Sequence, residues 1–318
     1  MTRDKVDVHH HMITPAYRAA LEENGGDPSG FPTPEWSLLA DDQFCDAIGV
    51  GTTIFSLTAP GTDIVKGKIA AAKLARETNE YLASLRDKDP RKYGFFASLP
   101  PLTDVPAVIE EITYALDVLK ADGVTVFTRY GLGNGYLGHA DFKPIWRALN
   151  EKNAVVFVHP THSIDTTLVN SNLPQPIIDY PHETTRTAAD MILSDTLRET
   201  PNCKIILSHA GGTLPYLANR LQAVVDTGLT NKSSDEIAKD VASFYYDLAL
   251  SSSMNTIEVL MKVTTPDHIL FGSDFPYAPA KTIKSFVEKF NSAGLDQSLE
   301  DAISRDNALR LFPRLEKN

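Results

Sequence analysis

Eight short apolar segments of strand length recur along the 318-residue chain and alternate with stretches of helical length. Several of them, such as VVFVHP and KIILSH, are almost continuously apolar. Continuous runs of this kind are typical of parallel strands that are covered on both faces. The predicted strands are Val6 to His9, Thr52 to Leu57, Tyr93 to Ala97, Gly123 to Thr128, Val155 to His159, Lys204 to Ser208, Phe244 to Leu248 and His268 to Gly272.

The stretches between these strands have the apolar periodicity of helices, so strand and helix alternate throughout. This order predicts an α/β fold, the (β/α)8 barrel, and the length only slightly exceeds the about 250 residues typical of that fold. With no internal repeat or linker, we expect a single domain over residues 1–318. The predicted helices are Gly67 to Arg86, Val105 to Lys120, Phe142 to Glu151, Thr184 to Glu199, Leu214 to Val225, Thr256 to Val263 and Lys281 to Phe290.

Two connections are longer than the rest and are rich in proline, glycine and asparagine. They follow strands one and five and comprise Thr14 to Gln43 and Thr161 to His182. Loops that follow barrel strands lie at the active-site end, so we expect these two to roof the site.

The residues at the ends of the predicted strands are polar in an unusual proportion. Because side chains alternate along a strand, His9 and His11 are expected to face one side and His10 the other. Together with His159 and Asp274, His9 and His11 give three imidazoles and a carboxylate. This set suits Zn²⁺ and is compatible with Mn²⁺ or other divalent ions. The strand-end residues are His9, His11, His159, His209 and Asp274.

A structural explanation competes with this interpretation at every position, because a single histidine in a strand is more often a hydrogen-bonded core residue than a ligand. The coincidence of four strands ending in histidine or aspartate favours a metal site. We expect the remaining histidines to lie on the surface or behind the ligands: His10, His139, His162, His182 and His268.

The net charge of −11 and the absence of basic clusters argue against nucleic acid and anionic membranes as partners. Cys45 and Cys203 are too few for a disulfide framework, which fits a reducing compartment. The N-terminus has no apolar signal segment, and no stretch approaches the about 20 apolar residues of a membrane span. We therefore expect a cytoplasmic protein.

Four motifs resemble the amidohydrolase superfamily, in the branch of aminocarboxymuconate semialdehyde decarboxylase and the salicylate-type decarboxylases: VDVHHHM, VFVHPT, ILSHAGG and LFGSDFPY. The resemblance covers nearly the full chain. Within the branch, TRYGLGNGYLG, PHETTRTAADMI and HAGGTLPYLANR are most similar to the 6-methylsalicylate decarboxylases.

The resemblance implies that His9, His11, His159 and Asp274 bind one metal ion and that His209 acts as an acid or base away from it. Members with two metals usually bridge them with a carbamylated lysine on strand four, but here that strand, GVTVFTRY, contains no lysine. We therefore expect a single ion, Zn²⁺ in first place and Mn²⁺ as the alternative.

The reaction implied is the non-oxidative decarboxylation of a 2-hydroxybenzoate, here 6-methylsalicylate to 3-methylphenol and CO₂. Loss of CO₂ requires that the ring carbon bearing the carboxylate is protonated first. The carboxylate and the ortho hydroxyl can chelate the metal and fix the ring. Two proton routes remain open: Asp274 with His209 recharging it, or His209 directly.

Arg220 is the first candidate for binding the substrate carboxylate, since in related decarboxylases an arginine at this position reaches the site of a neighbouring subunit. A homodimer follows from that role, whereas an exposed helix arginine is the structural alternative. Arg129 and Arg186 are weaker candidates. The related muconate-semialdehyde enzymes bind a second carboxylate with an arginine in the loop after strand one. Asp27 to Cys45 contains no arginine, so the resemblance favours a substrate with one carboxylate here. The candidate aromatic walls are Phe31, Trp36, Phe275 and Tyr277.

Two other classes of function fit the same residues. The metal can activate water for attack on an ester, lactone or amide, with Asp274 as the base. A binding protein without catalysis is the second alternative, because a fold alone does not establish activity. The complete set of strand-end ligands argues against the latter.

Overall fold

The computed structural model describes residues 4–316 and contains one eight-stranded parallel sheet. Each strand pairs with the next along the chain, so the order in space is the order in sequence. All eight predicted strands are present, with ends that differ by a few residues. Their bounds are β1 Lys5–His11, β2 Val50–Ser56, β3 Tyr93–Ser98, β4 Gly123–Phe127, β5 Val155–His159, β6 Lys204–Leu207, β7 Tyr245–Asp247 and β8 Ile269–Leu270.

Hydrogen bonds between the segment around β8 and strand β1 close the sheet into a barrel. The Val8 N–H donates to the Phe271 carbonyl over 3.1 Å, and the Asp274 N–H donates to the His9 carbonyl over 2.8 Å. Further on, the His11 N–H donates to the Phe275 carbonyl over 2.7 Å. The predicted (β/α)8 barrel is therefore confirmed.

Helices surround the barrel and connect its strands. None of the helices within residues 4–316 is both long enough and apolar enough to cross a membrane. The helix bounds are α1 Pro15–Glu23, α2 Leu38–Ile48, α3 Lys68–Lys88, α4 Val105–Thr113, α5 Lys143–Glu151, α6 Gln175–Leu193, α7 Thr196–Glu199, α8 Leu214–Gln222, α9 Ser234–Ser243, α10 Met254–Leu260, α11 Ala280–Asn291, α12 Gln297–Asp301 and α13 Asn307–Leu311.

The long connection after β1 contains helices α1 and α2, although the sequence predicts a loop there. The side chains of Thr14 and Ser37 cap these helices by accepting hydrogen bonds from backbone N–H groups. Such caps satisfy donors that would otherwise lack partners at a helix start. Thr14 and Ser37 are thus sequence signals for helix starts, in a connection whose proline and glycine content is typical of a loop.

Helix α6 begins at Gln175, inside the second connection that was predicted to be a loop, and continues through Pro181. Pro181 has no N–H to donate to the Ile177 carbonyl, so one bond of the helix is missing there. Four residues further on, the Thr185 hydroxyl donates to the Pro181 carbonyl. The predicted helix from Thr184 to Glu199 is in fact α6 followed by α7, since Asp195 adopts a left-handed conformation with φ 61°. Helices α9, α12 and α13 were not predicted.

The lower half of the barrel is filled with apolar side chains, which leaves the carboxyl ends of the strands for the site. This interior cluster takes residues from most strands and is covered at the bottom by the C-terminal segment. Its members include Val6, Val8, Ile54, Phe96, Phe157, Ile206, Leu270 and Phe312.

Strand β1 contains a register shift between Asp7 and His10. Val6 and Val8 belong to the barrel interior. The next residue, His9, also faces inward, since the centroid of its ring lies 5.0 Å from that of the interior residue Phe157. An irregularity of this kind re-aims the side chains that follow it and is common beside active sites. The shift therefore turns His9 inward and His10 outward towards helix α2.

Candidate metal centre

Four side chains from three strand ends converge at the mouth of the barrel. His9 and His11 come from β1, His159 ends β5, and Asp274 follows β8. The Nε2 atoms of His9 and His11 lie 3.2 Å apart, and Asp274 Oδ1 lies 3.5 Å and 3.2 Å from them, respectively. One donor atom of each of the four residues lies within 4.8 Å of the others.

These spacings fit a common ion. Ligands about 2.1 Å from a tetrahedral ion lie about 3.4 Å from each other, which is close to the distances around Asp274. The donor types, three imidazoles and one carboxylate, are those that Zn²⁺ and other divalent transition metals accept. The residues predicted from the strand ends are thus brought together with geometry suitable for one metal ion.

Each of the three imidazoles is held through its Nδ1 atom. His9 Nδ1 lies 3.0 Å from Asp247 Oδ2, His11 Nδ1 lies 3.0 Å from the Ser56 hydroxyl, and His159 Nδ1 lies 2.8 Å from the Pro160 carbonyl. A carboxylate or a carbonyl oxygen can only accept a hydrogen bond, so for His9 and His159 the proton sits on Nδ1. Nε2 is then the nitrogen that faces the shared centre.

Burial and neighbouring charges decide the protonation of the cluster. Burial lowers the pKa of the His9 imidazole, but the Asp247 and Asp274 carboxylates outweigh it and raise this pKa to about 10. Burial raises the pKa of Asp274, but hydrogen bonds from His11 and His9 hold it well below its usual range. Burial lowers the pKa of His11 and, further, that of His159. The buried carboxylates therefore attract positive charge to the centre.

His209 follows β6 and lies beside the four-residue cluster, with its ring centroid 4.6 Å from that of His9. Its Nδ1 lies 3.0 Å from the Ala249 carbonyl, so this nitrogen carries the proton and Nε2 is the atom available for exchange. Burial lowers the pKa of this imidazole, and the nearby His9 lowers it further. His209 is thus placed to exchange a proton in the cavity.

The backbone is strained where the strands end at the site. His209, Ala210 and Asp274 adopt left-handed conformations with φ of 53°, 56° and 68°, which cost non-glycine residues about 1–3 kcal/mol each. Gly212 is required in the same turn, because a Cβ atom there would lie 2.0 Å from the Pro181 carbonyl oxygen. Strain of this kind persists where surrounding contacts fix it, here beside the candidate centre.

A cavity of about 550 Å³ opens above the cluster, lined in part by His159, His209 and Asp274. Of the predicted aromatic walls, Phe31 and Tyr277 line it. Most of its remaining surface is apolar, and none of the described residues that line it is an arginine or a lysine. The other lining residues are Asp27, Thr58, Pro174, Pro176, Ile177, Tyr180, Pro181, Leu250, Ser251, Ala278, Pro279, Thr282 and Phe286.

The three candidate arginines lie elsewhere in this chain. Arg129 donates to the backbone carbonyls of His162, Gly131 and Gly133. Arg186 is exposed on α6 with its guanidinium 5.1 Å from the centre of the Tyr136 ring. Arg220 is exposed on α8 and borders an apolar groove between α6 and α8. None of them lines the cavity of its own chain.

Two of the four predicted aromatic residues also face away from the cavity. Trp36 donates its indole N–H to Asp41 over 3.0 Å, and its ring packs against Phe55. Phe275 stacks on Phe44 with ring centroids 4.2 Å apart. Because the chain turns between Asp274 and Tyr277, their side chains enter the cavity while Phe275 packs against helix α2.

The histidines predicted to lie outside the centre do so. His10 is buried between Asp7 and Asp41, to which its two ring nitrogens are hydrogen bonded over 2.9 Å and 2.8 Å. His139 and His182 are exposed, whereas His162 and His268 are partly buried. His268 stacks on Tyr245 with ring centroids 4.1 Å apart.

Sequence reasoning missed Asp247, Asp27 and Tyr180. Asp247 ends strand β7 and therefore carries the same signal as Asp274, a carboxylate at a strand end. Asp27 and Tyr180 line the cavity from segments assigned to loops, where composition gives no indication of which side chain turns inward.

Residues 6–314 match the model of the family described as amidohydrolase, and the chain therefore belongs to that family. It is 49% identical over 313 residues to a 6-methylsalicylic acid decarboxylase of Penicillium expansum, with 98% of this chain and 97% of the relative covered. It is 50% identical over 323 residues to a 6-methylsalicylic acid decarboxylase of Aspergillus aculeatus, with the same coverage.

The fold is also similar to that of a dihydroxybenzoic acid decarboxylase from Polaromonas sp. JS666, solved with bound manganese and the inhibitor 2-nitroresorcinol. That structure superposes with a TM-score of 0.85 at 22% identity, covering 100% of this chain and 98% of the other. The likeness supports the barrel architecture described above.

Proposed function

We propose that this chain is a metal-dependent, non-oxidative decarboxylase that converts 6-methylsalicylate to 3-methylphenol and CO₂. One observation carries the proposal: the chain is about half identical, over 98% of its length, to relatives named for this activity, in Penicillium expansum and Aspergillus aculeatus. The converging ligands and His209 in one cavity supply the groups that the reaction needs.

We propose His9, His11, His159 and Asp274 as ligands of one divalent ion, with Zn²⁺ first and Mn²⁺ as the alternative. The donor set suits both ions, and the manganese bound by the Polaromonas enzyme supports the second. When bound by these four residues, such an ion would supply Lewis-acid chemistry that stabilises the negative charge of a phenolate.

The proton reaches the ring through side chains of the cavity, which take it from the ortho hydroxyl group as that group becomes the phenolate. We assign its transfer to Asp274 and His209 together, since both line the cavity and His209 can exchange a proton through Nε2. The proton adds to the ring carbon that bears the carboxylate. The bond to CO₂ then breaks, and its electron pair restores the aromatic ring.

The walls of the cavity favour an aromatic acid with one carboxylate. Phe31 and Tyr277 provide aromatic surface, and Leu250 and Ile177 provide aliphatic surface for a ring methyl group. Asp27 adds an acidic group, and its negative charge would repel a second carboxylate on the substrate. These contacts support a small monoanionic substrate.

We further propose a cytoplasmic homodimer built from a single domain over residues 1–318. Arg220 supports the dimer, because it is exposed on α8 at an apolar groove and does not reach the cavity of its own chain. In a dimer, Arg220 would reach the cavity of the partner subunit and bind the substrate carboxylate there. Arg129 and Arg186 are weaker candidates for binding the substrate carboxylate. Trp36 and Phe275 are weaker candidates for contacting the substrate ring.

The test is CO₂ release and product identity with a panel of hydroxybenzoates that includes 6-methylsalicylate, using metal-loaded protein and a chelated control. Metal-dependent formation of 3-methylphenol is the expected result. No CO₂ from any panel member at full metal occupancy would overturn the proposal. Acid release from a lactone or ester panel would then identify the protein as a hydrolase.

A further inference from the structure

We propose that Asp247 is a positioning residue that fixes the ligand tautomer of His9 and, through the same carboxylate, the turn that carries His209. The inference deepens the proposed function, since it rests on His9 being a metal ligand. Asp247 lies at the end of β7 and is fully buried, as is the His9 imidazole.

Both oxygens of this carboxylate are engaged. Oδ2 accepts from His9 Nδ1 over 3.0 Å, while Oδ1 accepts from the backbone N–H groups of His209 over 3.2 Å and Ala249 over 2.9 Å. Ala249 in turn accepts from His209 Nδ1 through its carbonyl over 3.0 Å. One side chain thus joins the ends of β1, β6 and β7.

The bond to His9 determines which nitrogen faces the centre. A carboxylate requires a donor, so His9 carries a proton on Nδ1, and Nε2 is the nitrogen that faces His11 and Asp274. In the dry interior this preference is stronger than at the surface. A carboxylate behind a ligating imidazole orients the ring and raises its basicity.

The bonds to the backbone act on His209. This residue has a left-handed conformation with φ 53°, and its N–H is held by Asp247 Oδ1. The Ala249 N–H bond fixes the carbonyl that orients the His209 ring. Asp247 therefore positions two functional side chains without touching the cavity surface.

The variant Asp247→Asn separates these two roles. Two backbone N–H groups face Oδ1, so the amide oxygen of asparagine stays there and its NH₂ group faces His9 Nδ1. Two donors then oppose each other unless His9 moves its proton to Nε2, where it blocks the metal. The fold keeps its backbone bonds, whereas the ligand tautomer is reversed.

Asp7→Asn is a matched control. Asp7 Oδ1 also accepts two backbone N–H groups, those of His9 and Ser273, and Oδ2 accepts from an imidazole, His10. The altered imidazole in this control does not belong to the converging cluster. The control therefore removes the same charge from the same kind of arrangement on the other side of β1.

The experiment starts from full-length protein whose metal has been removed with a chelator. It measures the affinity of this protein for Zn²⁺ by competition with a chromophoric chelator, without substrate. We expect Asp247→Asn to weaken binding by about 10–100-fold, the range for such supporting residues, and Asp7→Asn to weaken it far less. Equal loss in both variants, or wild-type affinity in Asp247→Asn, would overturn the proposal.

A crystal structure of the zinc-loaded wild-type protein decides the matter if the variant does not fold. His9 bound through Nε2, with Nδ1 within hydrogen-bond distance of Asp247, supports the proposal, and coordination through Nδ1 contradicts it. Since neither measurement uses substrate, a protein that releases no CO₂ leaves this inference standing while the proposed function fails.

Discussion

Asp7 and Asp247 make equivalent hydrogen bonds on the two sides of strand β1, each holding two backbone N–H groups and one imidazole. They differ in what lies beyond the imidazole. The second nitrogen of His10 is bonded to Asp41 over 2.8 Å, whereas that of His9 faces His11 and Asp274. The same arrangement thus closes a buried ion pair on one side and presents a metal ligand on the other.

His10, Asp41 and Cys45 on the outward side also lie within 4.8 Å of one another, but they offer fewer ligands than the four residues on the inward side. Both nitrogens of His10 are already bonded to carboxylates. Burial, together with the Asp41 charge, raises the pKa of the Cys45 thiol, which disfavours the thiolate form that binds metals. Proximity of ligand types is therefore not sufficient; a free lone pair directed at a common point is also required.

The largest effect on activity is expected from a change at Asp274, the carboxylate of the converging cluster. Asp274→Asn removes a charged ligand and one member of the proton-transfer pair, so we expect kcat to fall by about 10²–10⁴-fold, the range for general acid–base groups. Steady-state kinetics on 6-methylsalicylate measures it. Activity within a few fold of wild type would remove Asp274 from both roles.

His209→Asn should separate proton transfer from metal binding. We expect a fall in kcat at the lower end of the about 10²–10⁴-fold range, with Zn²⁺ affinity close to that of the wild type because His209 lies beside the cluster rather than in it. Kinetics and chelator competition on one preparation provide both values. A loss of metal affinity equal to the loss of kcat would make His209 a ligand instead.

Changes on the outward side should alter stability rather than chemistry. His10→Leu leaves Asp7 and Asp41 buried without their partner, and we expect a loss of about 3–5 kcal/mol of unfolding free energy. Urea unfolding of the metal-loaded protein measures it. The remaining folded fraction should bind Zn²⁺ as the wild type does; a specific loss of metal affinity would erase the contrast between the two sides of β1.

The pH dependence of stability gives the mildest test. Burial lowers the pKa of His10, but Asp41 and Asp7 outweigh it and raise it from 6.5 to about 10. The stabilisation is therefore fully present below about pH 6.5 and is lost as the pH rises through about 10. The difference in unfolding free energy between the wild type and His10→Leu should shrink over this interval. A difference that grows with pH would contradict the assigned pair.

Much of this contrast can be predicted from sequence. The order of apolar strand segments and helices along the chain predicts the barrel, and the alternation of side chains along a strand places His9 and His11 opposite His10. Strand-end position selects His159, His209 and Asp274, since carboxyl ends of barrel strands meet at one face.

The remaining features depend on contacts between distant segments. The register shift in β1 leaves no local signal, yet without it Val8 and His10 would share a side. Helices α1 and α2 form in a connection whose composition is typical of a loop. Asp247 carried a usable signal, whereas the positions of Trp36, Phe275 and the arginines depend on tertiary packing that strand and helix patterns do not specify.

The central claim is that one ion held by the four converging side chains supports decarboxylation. Titration of Zn²⁺ into chelated protein, with 3-methylphenol formation from 6-methylsalicylate recorded at each step, tests it most directly. The account predicts that the rate rises in proportion to added Zn²⁺ and levels off at one ion per chain. Full activity in the chelated protein, or a plateau at two ions per chain, would contradict it.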